Sequence, residues 1–187
     1  MATLMGREIV YYPDPVLRRR AAPVEVIDDE LRDLARDMLA LMYEKKGVGL
    51  AAPQVGVGRR LFVMNPTGKP EDERILVNPR ILGKTGRVIG IEGCLSIPDV
   101  QGKIERATSI EVEAFSVEGE DVRFEAGDFP ARVMQHEIDH LDGILIIDKM
   151  SEAERAVAAG KLKDLKARYE ERRRTGPAGP GNGASSS

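Results

Sequence analysis

The stretch QHEIDHLDG, residues 135–143, holds the only two histidines of this 187-residue chain, four positions apart with a glutamate directly after the first. Asp128 and Pro130 suit the opening of a helix that runs through FPARVMQHEIDHL, and Gly143 is placed to end it, so the motif lies on a helix. Residues i and i+4 share a helix face. His136 and His140 can therefore direct ring nitrogens at one ion, while Glu137 reaches the side where a water would sit. The competing reading is two solvated or hydrogen-bonded histidines on a polar turn, since HExxH strings also arise by chance.

A catalytic ion normally holds three protein ligands and leaves a position open, so a third donor is needed. The chain has no third histidine. Glu152, Glu154, Glu170 and Glu171 lie downstream, in a stretch that reads as a separate solvated helix, and nothing marks one of them as a ligand. Cys94, in EGCLSIP (92–98), follows an apolar strand and precedes a proline read as stopping it. As the only cysteine it forms no intrachain disulfide, which leaves packing, reactivity or ligation as its role. It is the better candidate, against the alternative of a small buried core residue.

The rest of the pattern sets the fold class. DDELRDLARDMLALMYEKK (28–46) spaces Leu31, Leu34, Ala35, Met38, Leu41 and Met42 along one helical face behind a capping aspartate. GVGLAAPQVGVG (47–58) reads as an ordered loop of tightly bent backbone, with Leu50, Ala51 and Ala52 as packing residues. RLFVMN, RILVNP and GRVIGIE read as strands, and SIEVEAFS and DVRFEA as a hairpin joined by VEGE. SEAE at Ser151 matches a capping box that opens a C-terminal helix over about 151–174. The expectation is an α+β fold: mainly antiparallel sheets packed around a central HExxH-bearing helix, with N-terminal and C-terminal helices. Residues 1–174 form one domain, and the Gly/Pro/Ser-rich 175–187 is expected to be a disordered tail.

Charge excludes some functions. The formal net charge is −3 with 32% charged residues, both signs interspersed, which gives no extended surface for DNA. There is no signal-type apolar run and no stretch of about 20 apolar residues, so a cytoplasmic protein without a membrane span is expected.

Three motifs in order, GVGLAAPQVG (47–56), EGCLSIP (92–98) and QHEIDHLDG (135–143), together with YYPDPVLRRRAAPV near the N-terminus, resemble the peptide deformylases over roughly residues 5–150. The resemblance implies hydrolysis of the formyl group from N-formyl-Met nascent polypeptides, with bacterial cytoplasm as the expected setting. It implies Cys94, His136 and His140 as metal ligands and Glu137 as general base and acid. It further implies Gln54 and the Leu95 N–H as the oxyanion site, and Gly49 beside the substrate backbone. Two imidazoles and a thiolate suit Zn2+, Fe2+, Co2+ or Ni2+, and affinity order favours zinc over iron, whereas the resemblance points to Fe2+. Spacing adds a pocket: Phe129 and Val133 precede the histidines on the same face, and Val48 and Ile91 complete a wall for a methionine side chain, with core packing as the alternative for each. The basic C-terminal helix suggests contact with ribosomal RNA, against a plain solvated helix. A monomer is expected. The rivals are an HExxH endopeptidase, which would tolerate loss of Cys94, and a non-catalytic protein with a closed metal site, which needs a fourth protein ligand.

Overall fold

The structure, a computed structural model, describes residues 6–175. Most of the proposed tail, 176–187, lies outside the described residues, and Thr175 belongs to the last helix.

Helix α1, Asp29–Glu44, begins where Asp28 Oδ1 accepts the Leu31 N–H at 2.9 Å, the expected cap. All six residues spaced along its apolar face are buried. The glycine-rich segment that follows is more regular than a loop. It contains strand β1, Gly49–Ala51, and a 3₁₀ turn, Ala52–Val55. Three residues are too few to display alternation, so the strand has no local pattern, while Leu50, Ala51 and Ala52 are packing residues as expected, each at 0% exposure.

The remaining strands are β2 (Leu61–Met64), β3 (Arg74–Thr85), β4 (Val88–Cys94), β5 (Ile97–Arg106), β6 (Ser109–Phe115) and β7 (Asp121–Gly127). Five form an antiparallel sheet in the order β1-β2-β3-β6-β7; β4 and β5 pair separately as a hairpin. Helices α2 (Asp128–Leu141), α3 (Ile146–Lys149) and α4 (Glu152–Thr175) complete the chain. Strand β5 corrects the reading of Pro98 as a stop. A strand with a ladder on one side only can carry proline, and Pro98 sits at its second position, beside the bulge between Gly93 and Cys94.

Both faces of the large sheet are covered at one end. Leu61 and Val63 of β2 pack with α1, while the alternating Phe62 and Met64 pack with α2, so this strand is an unbroken apolar run. At the other end only one face is covered, and β6 alternates: Ile110, Val112 and Ala114 are buried, and the residues between them are not. A third cluster joins Ile97, Val100 and Ile104 of β5 to Ile146 and Met150, and to Ala158 and Leu165 of α4. Nine of the fourteen residues of α2 are buried, which makes the HExxH helix central to the fold.

Candidate active site

The site forms where α2 meets the β4–β5 hairpin. His136 and His140 stand one turn apart, with Nε2 atoms 3.2 Å from each other, and Cys94 Sγ lies 3.2 Å from His140 Nε2. The three donors lie within 4.8 Å of one another. An ion held at about 2.0–2.3 Å in tetrahedral geometry would space such donors by about 3.3–3.6 Å, so this donor set fits a divalent metal. Cys94 is only partly buried, at the end of its strand, which disfavours the core-packing alternative. Glu152, Glu154, Glu170 and Glu171 are not in the cluster, and Glu154 instead accepts the N–H groups of Lys103 and Ser151.

Protonation follows from surroundings. His140 is held well below the ordinary histidine value, first by burial and then by the charges of His136 and Arg106, which leaves a neutral ring suited to ligation. His136 behaves oppositely: burial depresses it, but hydrogen bonds with Cys94 and Glu92 outweigh burial and raise it well above that value. A proton and a metal therefore compete for this ring. Burial raises Glu137 to about 7 against an opposing pull from His136. Its Oε2 is buried without a hydrogen-bond partner, which marks a carboxylate kept for something other than structure.

Around this centre the sequence-read residues converge. Gln54 Oε1 accepts the Ala51 N–H at 2.8 Å, which turns its amide nitrogen toward Ser96 Oγ (3.2 Å) and Cys94 Sγ (3.6 Å). Leu95 follows Cys94 in the tight β4–β5 connection. Gly49 faces Glu137 so closely that a Cβ there would lie 2.4 Å from Oε1. A groove of about 990 Å³ opens beside the donors, and Val48, Gly49, Ile91, Leu95, Phe129 and Val133 all line it. Of the four proposed pocket residues Val133 is buried, and Val48, Ile91 and Phe129 present apolar surface to solvent.

Sequence reasoning missed a charged network behind His136. Glu92 Oε2 lies 3.0 Å from His136 Nδ1, Arg106 holds both Glu92 oxygens at 2.8 and 2.9 Å, and Arg132 reaches Oε1 at 2.7 Å. Arg106 also meets Asp139 at 2.5 Å. These hydrogen bonds, Arg106 and His136 foremost, overcome burial and hold Glu92 down at about 2. The available signal was Arg132 and Asp139, charged residues that share one face of α2 with His136, four and three positions away.

The sequence profile described as polypeptide deformylase matches residues 6–156. The chain belongs to the polypeptide deformylase family. A peptide deformylase of Acidobacterium capsulatum is 43% identical over 164 residues, 87% of this chain and 96% of that one. The crystal structure of a peptide deformylase from Legionella pneumophila superposes with a TM-score of 0.82 at 40% identity, covering 89% of this chain and 98% of the other. One from Plasmodium falciparum gives 0.84 at 38%, covering 91% and 100%. These deformylase structures share the α+β fold described above.

Proposed function

We propose that this deformylase removes the formyl group from the N-terminal formyl-methionine of newly synthesised polypeptides, releasing formate. The observation that carries the reading is the buried, unpartnered Glu137 carboxylate beside the convergent Cys94, His136 and His140. When bound, a divalent ion supplies Lewis acidity that polarises the formyl carbonyl and acidifies the attacking water. Glu137, with a pKa near 7, accepts the proton of that water at Oε2 and returns it to the departing amine nitrogen. The Leu95 N–H and the Gln54 amide donate to the formyl oxygen as charge develops there. Gly49 leaves room for Glu137 and brings backbone close to the peptide. Val48, Ile91, Phe129 and Val133 receive the methionine side chain. The structural-metal rival is not favoured, since the donor cluster among the described residues has three members and not four. The peptidase rival is not favoured, since the third member is Cys94, which a peptidase would not need, and the family is that of the deformylases.

The finer reading assigns Fe2+ as the physiological ion, with Zn2+, Ni2+ or Co2+ acquired on purification in air. Fe2+ and the oxidisable Cys94 together make the activity oxygen-sensitive. The protein acts as a monomeric bacterial cytoplasmic enzyme with one catalytic domain over residues 1–174; among the described residues no helix is long and apolar enough to cross a membrane. Ribosomal RNA is the partner proposed for the basic C-terminal helix, against the alternative of a plain solvated helix; its last turn carries Arg172, Arg173 and Arg174. Truncation at Ala153 should abolish co-sedimentation with ribosomes, and unchanged co-sedimentation would end that idea.

The central test is anaerobic purification, metal analysis and formate release from a formyl-Met peptide. Glu137→Gln should retain the metal and lose about 10²- to 10⁴-fold in turnover. Equal rates in the two proteins would remove Glu137 from the mechanism.

A further inference from the structure

The metal centre is divided between two bodies, because both histidines stand on α2 whereas Cys94 ends β4. The α2 backbone packs chiefly against the large sheet, so buried side chains must register the hairpin to it. We propose that Arg132 is the positioning residue for this centre, locking the cysteine-bearing hairpin to the histidine-bearing helix through Glu92, and that residue 90 is glycine to admit its guanidinium. This rests on the metal reading above and not on the reaction.

Arg132 leaves α2 one turn before His136. Its Nη1 donates to Glu92 Oε1 at 2.7 Å and to the Ile104 carbonyl at 3.0 Å, and its Nη2 donates to the Val88 carbonyl at 3.0 Å. One planar fork thereby holds α2, β4 and β5 together, with geometry that lysine cannot reproduce. The other oxygen of Glu92 meets His136 Nδ1, so the strand angle that Arg132 sets is passed to the imidazole. Arg106 alone already neutralises Glu92, so what Arg132 adds is orientation and the two strand carbonyls. A Cβ at Gly90 would stand 2.8 Å from Arg132 Cζ. That contact is with the far end of a side chain, so Gly90→Ala leaves the fold intact while displacing the fork.

The test uses the full chain and Co2+ as probe. Co2+ affinity is read by chelator competition, the site by the cobalt absorption bands, and formyl-Met peptide turnover by KM and kcat separately. Arg132→Met should weaken Co2+ binding about 10- to 100-fold, shift the cobalt bands and lower kcat, with KM within about twofold of wild type. Arg132→Lys should recover only part of that loss. Gly90→Ala should weaken Co2+ binding in the same direction, and the double variant should be no weaker than Arg132→Met, because the two changes break one contact. Wild-type Co2+ affinity and bands in Arg132→Met, even with a lower melting temperature, would overturn the proposal, as would effects that multiply in the double variant. If Arg132→Met does not fold, wild-type affinity in Gly90→Ala overturns it. A wild-type chain that takes up no Co2+ would remove the metal centre itself and this proposal with it.

Discussion

Glu137, the proposed general base, is the residue at which burial and its proposed role conflict, and the conflict is measurable. Its carboxyl titrates near 7 because burial disfavours the charged form. It must be ionised to accept a proton, so kcat/KM should fall about tenfold per unit on the acid side of its pKa. A cation held by Cys94, His136 and His140 favours the ionised form, which sets the midpoint of that limb at or below pH 7. A pH–rate profile of the metal-loaded enzyme checks this; a rate that rises as pH falls below 6 would contradict it. At this scale the sequence was most legible where chemistry demands a fixed local spacing. His136, Glu137 and His140 stood out for that reason, and Cys94 by being the only thiol. Glu92 was not legible, because a carboxylate in a short strand reads as solvated, and the arginines that bury it stand 14 and 40 residues away.

Elements were legible in proportion to how much of their environment is local. Helix α1 and the β6–β7 hairpin each carry their own cap, turn and one-sided apolar pattern, and both form where the pattern places them. Strands β1 and β5 do not: the first is fixed by burial from both sides, and the second carries a proline that only its outer position allows. The end of α2 offers a test at this scale. Gly143 has φ +75°, and a Cβ there would lie 2.5 Å from the Arg18 carbonyl oxygen, part of the backbone and unable to swing aside. Gly143→Ala should therefore cost at least about 1–2 kcal/mol from the left-handed backbone alone, with more from displacing the Arg18 segment. Denaturant unfolding should show a lower midpoint with an unchanged slope. A midpoint equal to wild type would mean that the helix end relaxes in a way this packing does not permit.

Across the whole molecule, the groove could not be read from the sequence because its walls come from segments far apart in the chain, α4 among them. The stability of those walls decides what the metal is for. Three apolar clusters close the protein: α1 on one face of the large sheet, α2 on the other, and the hairpin against α3 and α4. Each is built of apolar side chains packed on one another, and of the three proposed ligands Cys94 only abuts the third. The ion therefore should not be needed for folding, unlike a structural site whose binding energy is the folding energy. Stripping it with a chelator should abolish formate release while far-UV circular dichroism stays that of the folded chain. The stripped protein should melt lower only by the mass-action contribution of a bound ligand, about 3 kcal/mol at 100 times Kd, or about 5–10 °C for a chain of this size. Adding back Fe2+ or Co2+ under nitrogen should restore both turnover and melting temperature. Unfolding at room temperature on chelation would show instead that the apolar clusters depend on the ion, and that the centre is structural before it is catalytic.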